Sequence, residues 1–157
     1  MTIFQFNDRV KASQIDYNGH FHDSSYHEVF SESLDAFFSA FGLSKAERTE
    51  WAFTVFTLEA HITYLKEITV DTPYTISIYI HDYDVKRAHL FLIMTNDSGD
   101  DVATYEVMMM GISQETRRSA AFPQHLLSRI ETYVEKQSDI PQQHRIGHVM
   151  HIPHKKG

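Results

Sequence analysis

Hydrophobic residues recur along the chain with two different periods, and the change of period predicts where helices and strands lie. Residues 3–13 mix aromatic and aliphatic side chains with polar ones, which predicts a first strand. From Tyr26 to Phe41 the apolar residues recur at spacings of three and four, which predicts one long helix with a broad apolar stripe. Ser25 and Glu28 have the spacing of a capping box at its start, and Gly42 is expected to mark its end.

From residue 52 onward apolar and polar positions alternate, which is the pattern of β-strands. Phe56 to Tyr64 predict a long strand with one apolar and one polar face, after a polar stretch at 44–51 that favours a short helical turn or a loop. The later elements are strands over 75–80, 87–95 and 102–113, with a hairpin turn at 96–100, and then a second helix that Pro123 opens. Because the strand over 87–95 is apolar nearly throughout, we expect it to lie at the centre of the sheet.

This order of elements predicts the fold class and the extent of the domain. Strands joined by short turns pair antiparallel, and a helix with one apolar stripe must cover one face of their sheet. We therefore predict an α+β protein with the hotdog fold, in which an antiparallel five-stranded sheet wraps around one long helix, plus a C-terminal helix. Residues 1–136 would form this domain, and residues 137–157, which are polar and His-rich, would form a mobile tail.

Composition narrows the class of protein. The 157 residues fit one domain, and no stretch approaches the roughly 18 apolar residues of a membrane span. The N-terminus lacks the pattern of a signal peptide and the chain has no cysteine, so we expect a cytoplasmic protein. The formal net charge of −7 disfavours a nucleic-acid partner. A local cluster of basic side chains could still bind the phosphates of a small ligand.

The candidate chemistry lies in the loop between the first strand and the long helix. Asp16 supplies a carboxylate that could act as a nucleophile or as a general base on water. Gly19 can take a positive φ, and the following helix begins with free backbone N–H groups that could stabilise an oxyanion. The alternative is that Asp16-Tyr17-Asn18-Gly19 is only a tight turn, whose Asp and Asn side chains bond their own backbone.

Four segments, in one order along the chain, resemble a known family. Asp16-x-Asn18-Gly19-His20, followed by His22-Asp23 and Tyr26, resembles the D-x-N-G-H-x-N-x-x-Y motif of the hotdog-fold acyl-CoA thioesterases, the 4-hydroxybenzoyl-CoA thioesterase-like family. The other segments are 59–67, similar to an E-x-H-I-x-Y-x-x-E strand, 84–91, similar to D-x-K-R-x-H-x-F, and 106–123, which ends in Phe122-Pro123. Within the family the chain looks closest to the betainyl-CoA thioesterases of carnitine breakdown.

The resemblance implies an activity and roles for the loop residues. The activity would be hydrolysis of an acyl-CoA thioester, on betainyl-CoA or another short polar acyl-CoA, with Asp16 as the catalytic carboxylate. Asn18, Gly19 and His20 would place the thioester and present backbone donors to its carbonyl. The chain departs from the family pattern at residues 21–23, which changes the entrance of the pocket.

Other residues are candidates for a supporting part. Glu59 and His61 lie on one face of their strand and could form a second acid–base pair facing the Asp16 loop of a neighbouring subunit, or simply a solvated outer face. Glu67 is interpreted as a surface charge. The phosphates of coenzyme A would bind basic side chains, for which the alternative is plain solvation: Lys86, Arg87, Arg117 and Arg118.

An aromatic cage for a quaternary ammonium is a further hypothesis. Its members would be Tyr17, Trp51, Phe53 and Tyr64, and the alternative is that these rings belong to the core, above all Phe53.

No metal or other cofactor is expected, apart from coenzyme A as part of the substrate. The spaced histidines of the tail could bind a metal only adventitiously.

An exposed sheet edge predicts at least a homodimer, with a homotetramer left open. Three alternatives remain: a fatty acyl-CoA thioesterase, an enoyl-CoA hydratase, whose motif fits less well, and a non-catalytic protein that binds acyl-CoA or a small ligand.

Overall fold

The alternating segments of the sequence form one antiparallel sheet of five strands, in the order β1-β3-β4-β5-β2. The computed structural model describes residues 3–155. The strands are β1 Gln5–Arg9, β2 Phe53–Tyr64, β3 Pro73–Tyr83, β4 Arg87–Asn96 and β5 Asp101–Ser113, and the α-helices are α1 Asp23–Ala40, α2 Lys45–Trp51 and α3 Gln124–Lys136. Short 3₁₀ turns occupy Ala12–Gln14 and Gln143–Arg145. The predicted α+β architecture is confirmed.

The sheet has β4 at its centre, as its apolar sequence predicts. Residues 90–94 are all buried, because β3 and β5 flank the strand and both faces of the sheet are covered here. Among residues 3–155, the outermost strands are β1, which pairs only with β3, and β2, which pairs only with β5. The sheet therefore presents one long outer strand, β2.

Helix α1 lies on the inner face of the sheet with its aromatic stripe buried. Tyr26, Phe30, Phe37 and Phe38 are each at most 5% exposed, so the predicted long helix is confirmed. The predicted cap is wrong. The helix begins two residues before Ser25, and the side chain of His22 accepts the N–H of Ser24 at its N-terminus.

Two predicted boundaries also differ from the structure. Strand β1 ends at Arg9, because the amide N–H of Lys11 is bonded to the Gln14 side chain in a 3₁₀ turn and the chain leaves the sheet. The polar stretch after α1 is a helix, α2, held by a reciprocal capping box between Ser44 and Glu47. Gly42, with a φ of +92°, ends α1 as predicted.

Strand β2 does not keep a single apolar face. Its register with β5 shifts between Thr57 and Glu59, which is a β-bulge. A bulge inserts one residue and so changes the alternation, leaving Phe56 43% and Leu58 49% exposed while Val55 is buried. The alternation over 56–64 is therefore broken, and apolar side chains remain exposed on this outer strand.

Part of the predicted tail is packed against the sheet. Ile140 and Ile146 contact a buried patch on its outer face, formed by Tyr79, Phe91 and Ile93. The backbone N–H of Gly147 donates to both carboxylate oxygens of Glu106, at 2.9 and 3.0 Å. The expectation of a mobile tail is thus wrong for residues 140–147, while a domain boundary at residue 136 stays a prediction.

Within residues 3–155, every helix is too short or too polar to cross a membrane.

Candidate active site

The loop that carries Asp16 is a tight hairpin held against the segment that follows β2. The backbone N–H of Asp16 donates to the carbonyl of His20 at 2.8 Å, and Ile15 bridges Phe21. The hairpin is tied to the rest of the protein because the N–H of Phe21 donates to Ile68 O at 3.1 Å and His20 bridges Thr69. The loop therefore has a defined position beside the N-terminus of α1.

The carboxylate of Asp16 is fixed by its own loop. One oxygen, Oδ1, accepts the backbone N–H groups of Asn18 at 2.8 Å and His20 at 3.1 Å. The second oxygen makes no hydrogen bond within residues 3–155. The His20 amide is the main reason why the pKa of Asp16 lies below its usual value, with the Asn18 amide adding to the effect. The tight-turn interpretation is correct as geometry, and the same turn holds an ionised carboxylate with one oxygen free.

This carboxylate borders an open cavity of about 560 Å³. Its aromatic wall consists of Phe21, Tyr26 and Tyr64, whose rings meet edge to face with centroids 4.5 Å apart for the first pair and 5.0 Å for the second. Burial raises the pKa of Tyr26 to about 12, which keeps its hydroxyl neutral. The Tyr64 hydroxyl donates to Asp23 O at 3.2 Å and is thereby anchored to the start of α1.

The charge of the cavity is mainly negative. Its lining includes three carboxylates, of Asp16, Asp23 and Glu67, against one ammonium group, of Lys66, and the imidazole rings of His20 and His22. That ammonium is bound to the Asp100 carboxylate at 2.7 Å, which reduces its effect on the cavity. Aromatic rings together with excess carboxylates suit a cationic group.

Glu67 is the functional candidate that sequence reasoning missed. Its carboxylate lies 2.8 Å from Nε2 of His20, in the same cavity as Asp16. Its side chain is 67% exposed, as expected of a surface charge, but the turn after β2 also brings it to the loop. The resemblance over 59–67 included Glu67, yet only the fold shows which side chain it meets.

The backbone donors expected at this site are already engaged. Ser24 N–H donates to the side chains of His22 and Asp23, and Ser25 N–H donates to His22 O. The N–H groups of Gly19 and His20 bond to the carbonyl and the carboxylate of Asp16. These four groups are therefore not free to bind an oxyanion in this conformation.

Glu59 and His61 lie away from the Asp16 cavity of the same subunit. They line a cavity of about 290 Å³ on the outer face of the sheet, beside a contact in which His89 Nε2 and Glu106 Oε2 are 2.6 Å apart. A role for Glu59 at the Asp16 loop would thus require a neighbouring subunit, as the sequence-based hypothesis states.

The basic candidates cluster at the opposite end of β2. Arg117 lies with its guanidinium 5.9 Å from the ring of Phe56, and the amide of Gly111 ties this end of β5 to Lys86 O at 2.8 Å. The eight residue-to-residue steps from Phe56 to Tyr64 span about 26 Å at ~3.3 Å per residue. Within one subunit, these side chains are therefore far from Asp16.

Arg87 differs from the other basic candidates because it is paired. Its Nε and Nη2 lie 2.8 and 2.6 Å from Oδ2 of Asp84. The hydrogen bond from the Arg87 side chain is the main reason why the pKa of Asp84 is lowered to about 2. Lys86 and Arg117 carry no ion pair within residues 3–155, and Arg118 likewise, so these three side chains are the better phosphate candidates.

Comparison with known proteins assigns this arrangement to a family. The profile of the thioesterase-like superfamily matches residues 10–130, which is most of the chain. The chain belongs to the thioesterase-like superfamily. The predicted family, the hotdog fold and the thioester hydrolase class are all confirmed at this level.

Individual relatives support the same assignment. The betainyl-CoA thioesterase of Pseudomonas aeruginosa is 31% identical over 145 residues, covering 92% of this chain and 91% of that protein. A fused L-carnitine dehydrogenase/betainyl-CoA thioesterase of Agrobacterium fabrum is 30% identical over 122 residues, or 78% of this chain and 25% of that protein. Among solved structures, a hypothetical protein of Staphylococcus aureus in complex with CoA superposes with a TM-score of 0.94 at 43% identity, covering 97% of this chain and 96% of that one.

The aromatic cage predicted for this thioesterase is not assembled as expected. Trp51 stacks on His125 with centroids 4.9 Å apart, and Phe53 is buried in the core. Tyr17 is 97% exposed on the loop, so of the four predicted cage residues only Tyr64 lines the Asp16 cavity. Tyr26, which the sequence placed in the apolar stripe of α1 and in the loop motif but not in the cage, lines the cavity beside it.

The described part of this thioesterase shows no arrangement of side chains that would bind a metal ion. Across residues 3–155, no group of three or more His, Cys, Asp or Glu side chains is arranged to hold a metal ion. The expectation that the enzyme needs no metal remains a prediction.

Proposed function

We propose that this thioesterase hydrolyses betainyl-CoA with Asp16 as the catalytic carboxylate, in a homodimer. The observation that carries the proposal is the Asp16 carboxylate, which has one oxygen fixed by two backbone N–H groups and the other free beside an aromatic, acidic cavity. A carboxylate held in this way is ionised and oriented before substrate binds.

The acyl group of this substrate carries a permanent positive charge. A trimethylammonium group can be bound by aromatic ring faces and by nearby carboxylates. Tyr26 and Tyr64 supply the rings and Asp23 supplies negative charge in the same cavity. The name of the Pseudomonas aeruginosa relative, betainyl-CoA thioesterase, agrees with this choice.

Two chemical routes are open to Asp16. As a nucleophile it would attack the thioester carbonyl, release the CoA thiolate and leave an anhydride that water hydrolyses. As a general base it would take a proton from the attacking water, and no bond to the protein would form. Single turnover in ¹⁸O-labelled water tests the covalent route, because label in the Asp16 carboxylate would show that an anhydride formed and that water attacked its Asp16 carbonyl carbon.

A homodimer through β2 would complete the substrate site. Two outer strands related by a two-fold axis pair antiparallel, so the end of β2 near Tyr64 would lie beside the start of β2 in the partner. The partner subunit's Lys86 and the partner subunit's Arg117 would then approach the Asp16 cavity from across the interface. Exposed Phe56 and Leu58 would be covered in the same contact. CoA phosphates would bind this basic group.

The remaining assignments follow from this reaction. Hydrolysis of a thioester by a carboxylate and water requires no redox group or metal, so we propose that coenzyme A enters only as part of the substrate. Acyl-CoA esters are cytoplasmic metabolites, and we propose a cytoplasmic location. Whether dimers pair further into tetramers does not alter the site.

The test of catalysis is thiol release from betainyl-CoA by the wild type and by Asp16→Asn. We expect the variant to lose about 10²- to 10⁴-fold in kcat/KM, the usual contribution of acid–base catalysis, at an unchanged melting temperature. If the wild type hydrolyses none of the CoA thioesters tested faster than the Asn variant does, the protein is instead a non-catalytic binding protein.

The test of acyl specificity uses a neutral analogue of the same shape. In 3,3-dimethylbutyryl-CoA a carbon atom replaces the quaternary nitrogen of betaine. Because that nitrogen also activates the carbonyl group, the free acids are compared as inhibitors. Betaine should inhibit about 3- to 30-fold better than 3,3-dimethylbutyrate, the range expected of a cation–π contact. Tyr64→Leu should reduce this preference, and equal inhibition by both acids would contradict a betaine site.

A further inference from the structure

The turn after β2 contributes a carboxylate to the Asp16 loop. Three contacts join the two segments: Glu67 to the His20 imidazole at 2.8 Å, Phe21 N–H to Ile68 O at 3.1 Å, and the bridge between His20 and Thr69. Two of these contacts are made by backbone, so the fold holds the two segments together and places Glu67 beside His20.

His20 is connected to Asp16 as well as to Glu67. Its backbone N–H donates to Asp16 Oδ1 at 3.1 Å, while its ring nitrogen Nε2 meets the Glu67 carboxylate. The other ring nitrogen, Nδ1, makes no hydrogen bond within residues 3–155. A carboxylate that holds one nitrogen of an imidazole fixes the ring and leaves the second nitrogen for proton transfer.

We propose that Glu67 is a positioning residue, which holds the His20 imidazole so that Nδ1 can protonate the departing CoA sulfur. The inference rests on the proposed function, since it takes the Asp16 cavity as the reaction centre. When Asp16 or water adds to the carbonyl carbon, the C–S bond breaks and its electron pair stays on sulfur. The sulfur accepts a proton from imidazolium, and the neutral imidazole then regains a proton from solvent.

A second role for Glu67 must be distinguished from this one. Its carboxylate lies in the acidic cavity and could instead attract the cationic acyl group. Such a contact would act on substrate binding, and only for a charged acyl group. A positioning role acts on the chemical step, whatever the acyl charge, and loses importance when the leaving thiol needs no proton.

The experiment compares Glu67→Ala and Glu67→Gln with the wild type on three thioesters: betainyl-CoA, 3,3-dimethylbutyryl-CoA and the S-phenyl thioester of betaine. Glu131→Gln is the matched control, because Glu131 is exposed on α3, outside the cavity. With Glu67→Ala we expect kcat to fall about 10- to 100-fold on both CoA esters, part of the usual acid–base contribution, with KM changed less than about twofold. On the S-phenyl ester, whose thiolate leaves unaided, the fall should be less than about threefold.

The amide oxygen of Glu67→Gln can still accept a hydrogen bond from His20 Nε2–H, so kcat should fall less in this variant than in Glu67→Ala. Two results would overturn the proposal: an effect confined to KM for betainyl-CoA, which would make Glu67 a countercharge, or an equal loss of kcat on the S-phenyl ester, which would make it structural. Asp16→Asn, measured in parallel, must be inactive on all three esters. Activity of the Asp16→Asn variant would contradict the proposed function itself. This outcome is distinct from the two results that would overturn only the role of Glu67.

Discussion

Asp16 and His20 are joined by two hydrogen bonds in opposite directions. The Asp16 N–H donates to His20 O at 2.8 Å, and the His20 N–H donates to the Asp16 carboxylate at 3.1 Å. The first bond closes the hairpin and the second orients the carboxylate. Any change that opens the hairpin should therefore disturb the proposed catalytic group as well.

Gly19 tests this link between loop geometry and activity. Its φ is +79° and a Cβ would meet no atom within 4 Å, so Gly19→Ala adds only backbone strain, about 1–2 kcal/mol. Gly99→Ala is a matched control, since Gly99 has a φ of +81° and equally open surroundings in the β4–β5 turn. Both variants should lose about 1–2 kcal/mol in the free energy of unfolding measured with urea.

Only Gly19→Ala should also lower kcat for thiol release, by about tenfold, because a small displacement of a catalytic group is costly. Equal kcat values for the two variants would show that loop geometry does not govern the reaction.

The Asp84–Arg87 pair predicts a stability effect that depends on pH. Since its pKa is lowered from 3.8 to about 2 in the folded protein, Asp84 stabilises the fold above pH 3.8, and this contribution disappears as the pH falls toward 2. The carboxylate is 40% exposed, so solvent screening limits the contribution to about 0.5–1 kcal/mol. Asp84→Asn should thus be less stable than the wild type at pH 7.

The difference should shrink between about pH 5 and pH 2, as urea unfolding over a pH series would show. Asp97→Asn, in the exposed β4–β5 turn, is the control and should leave the free energy of unfolding unchanged at every pH. A difference for Asp84→Asn that is constant with pH would rule out the ion pair as its cause.

The segment after α3 predicts a contribution of packing to stability. Ile146 contacts the outer-face patch of Tyr79, Phe91 and Ile93, whereas Ile152 is 75% exposed. Ile146→Asp should lower the free energy of unfolding by about 1–3 kcal/mol, the cost of losing apolar burial and placing a carboxylate there. Ile152→Asp carries the same chemical change and should alter the free energy of unfolding by less than about 0.5 kcal/mol. If the two variants are equally stable, the segment is not docked in solution.

The sequence allowed the main architecture to be predicted, because periodicity depends on local spacing. The helix from Tyr26 to Phe38 and the central strand β4 follow directly from it. The bulge at Leu58 could not be predicted, since it depends on the register with β5. The contact of Glu67 with His20 likewise depends on how a distant turn returns to the loop. The Asp16 loop was found through its motif, and its geometry proved to be that of both a turn and a site.

Strand β2 supplies the last prediction, on the oligomeric state. Leu58 is 49% exposed at the bulge of this outer strand, and we propose that it is covered in the dimer. Charged side chains prevent pairing between sheet edges, so Leu58→Lys should move the protein toward the monomer in sedimentation velocity at micromolar concentration. Val149→Lys, at a side chain 77% exposed beyond α3, should leave the sedimentation coefficient unchanged.

The same variant tests whether the site spans two subunits. If the partner subunit's Lys86 binds the CoA phosphates, monomeric Leu58→Lys should show a KM for betainyl-CoA raised about tenfold or more, as expected on loss of charge-assisted contacts. The effect should weaken for betainyl-pantetheine, which lacks the nucleotide. A folded Leu58→Lys monomer with an unchanged KM for the CoA ester would place the whole substrate site within one subunit.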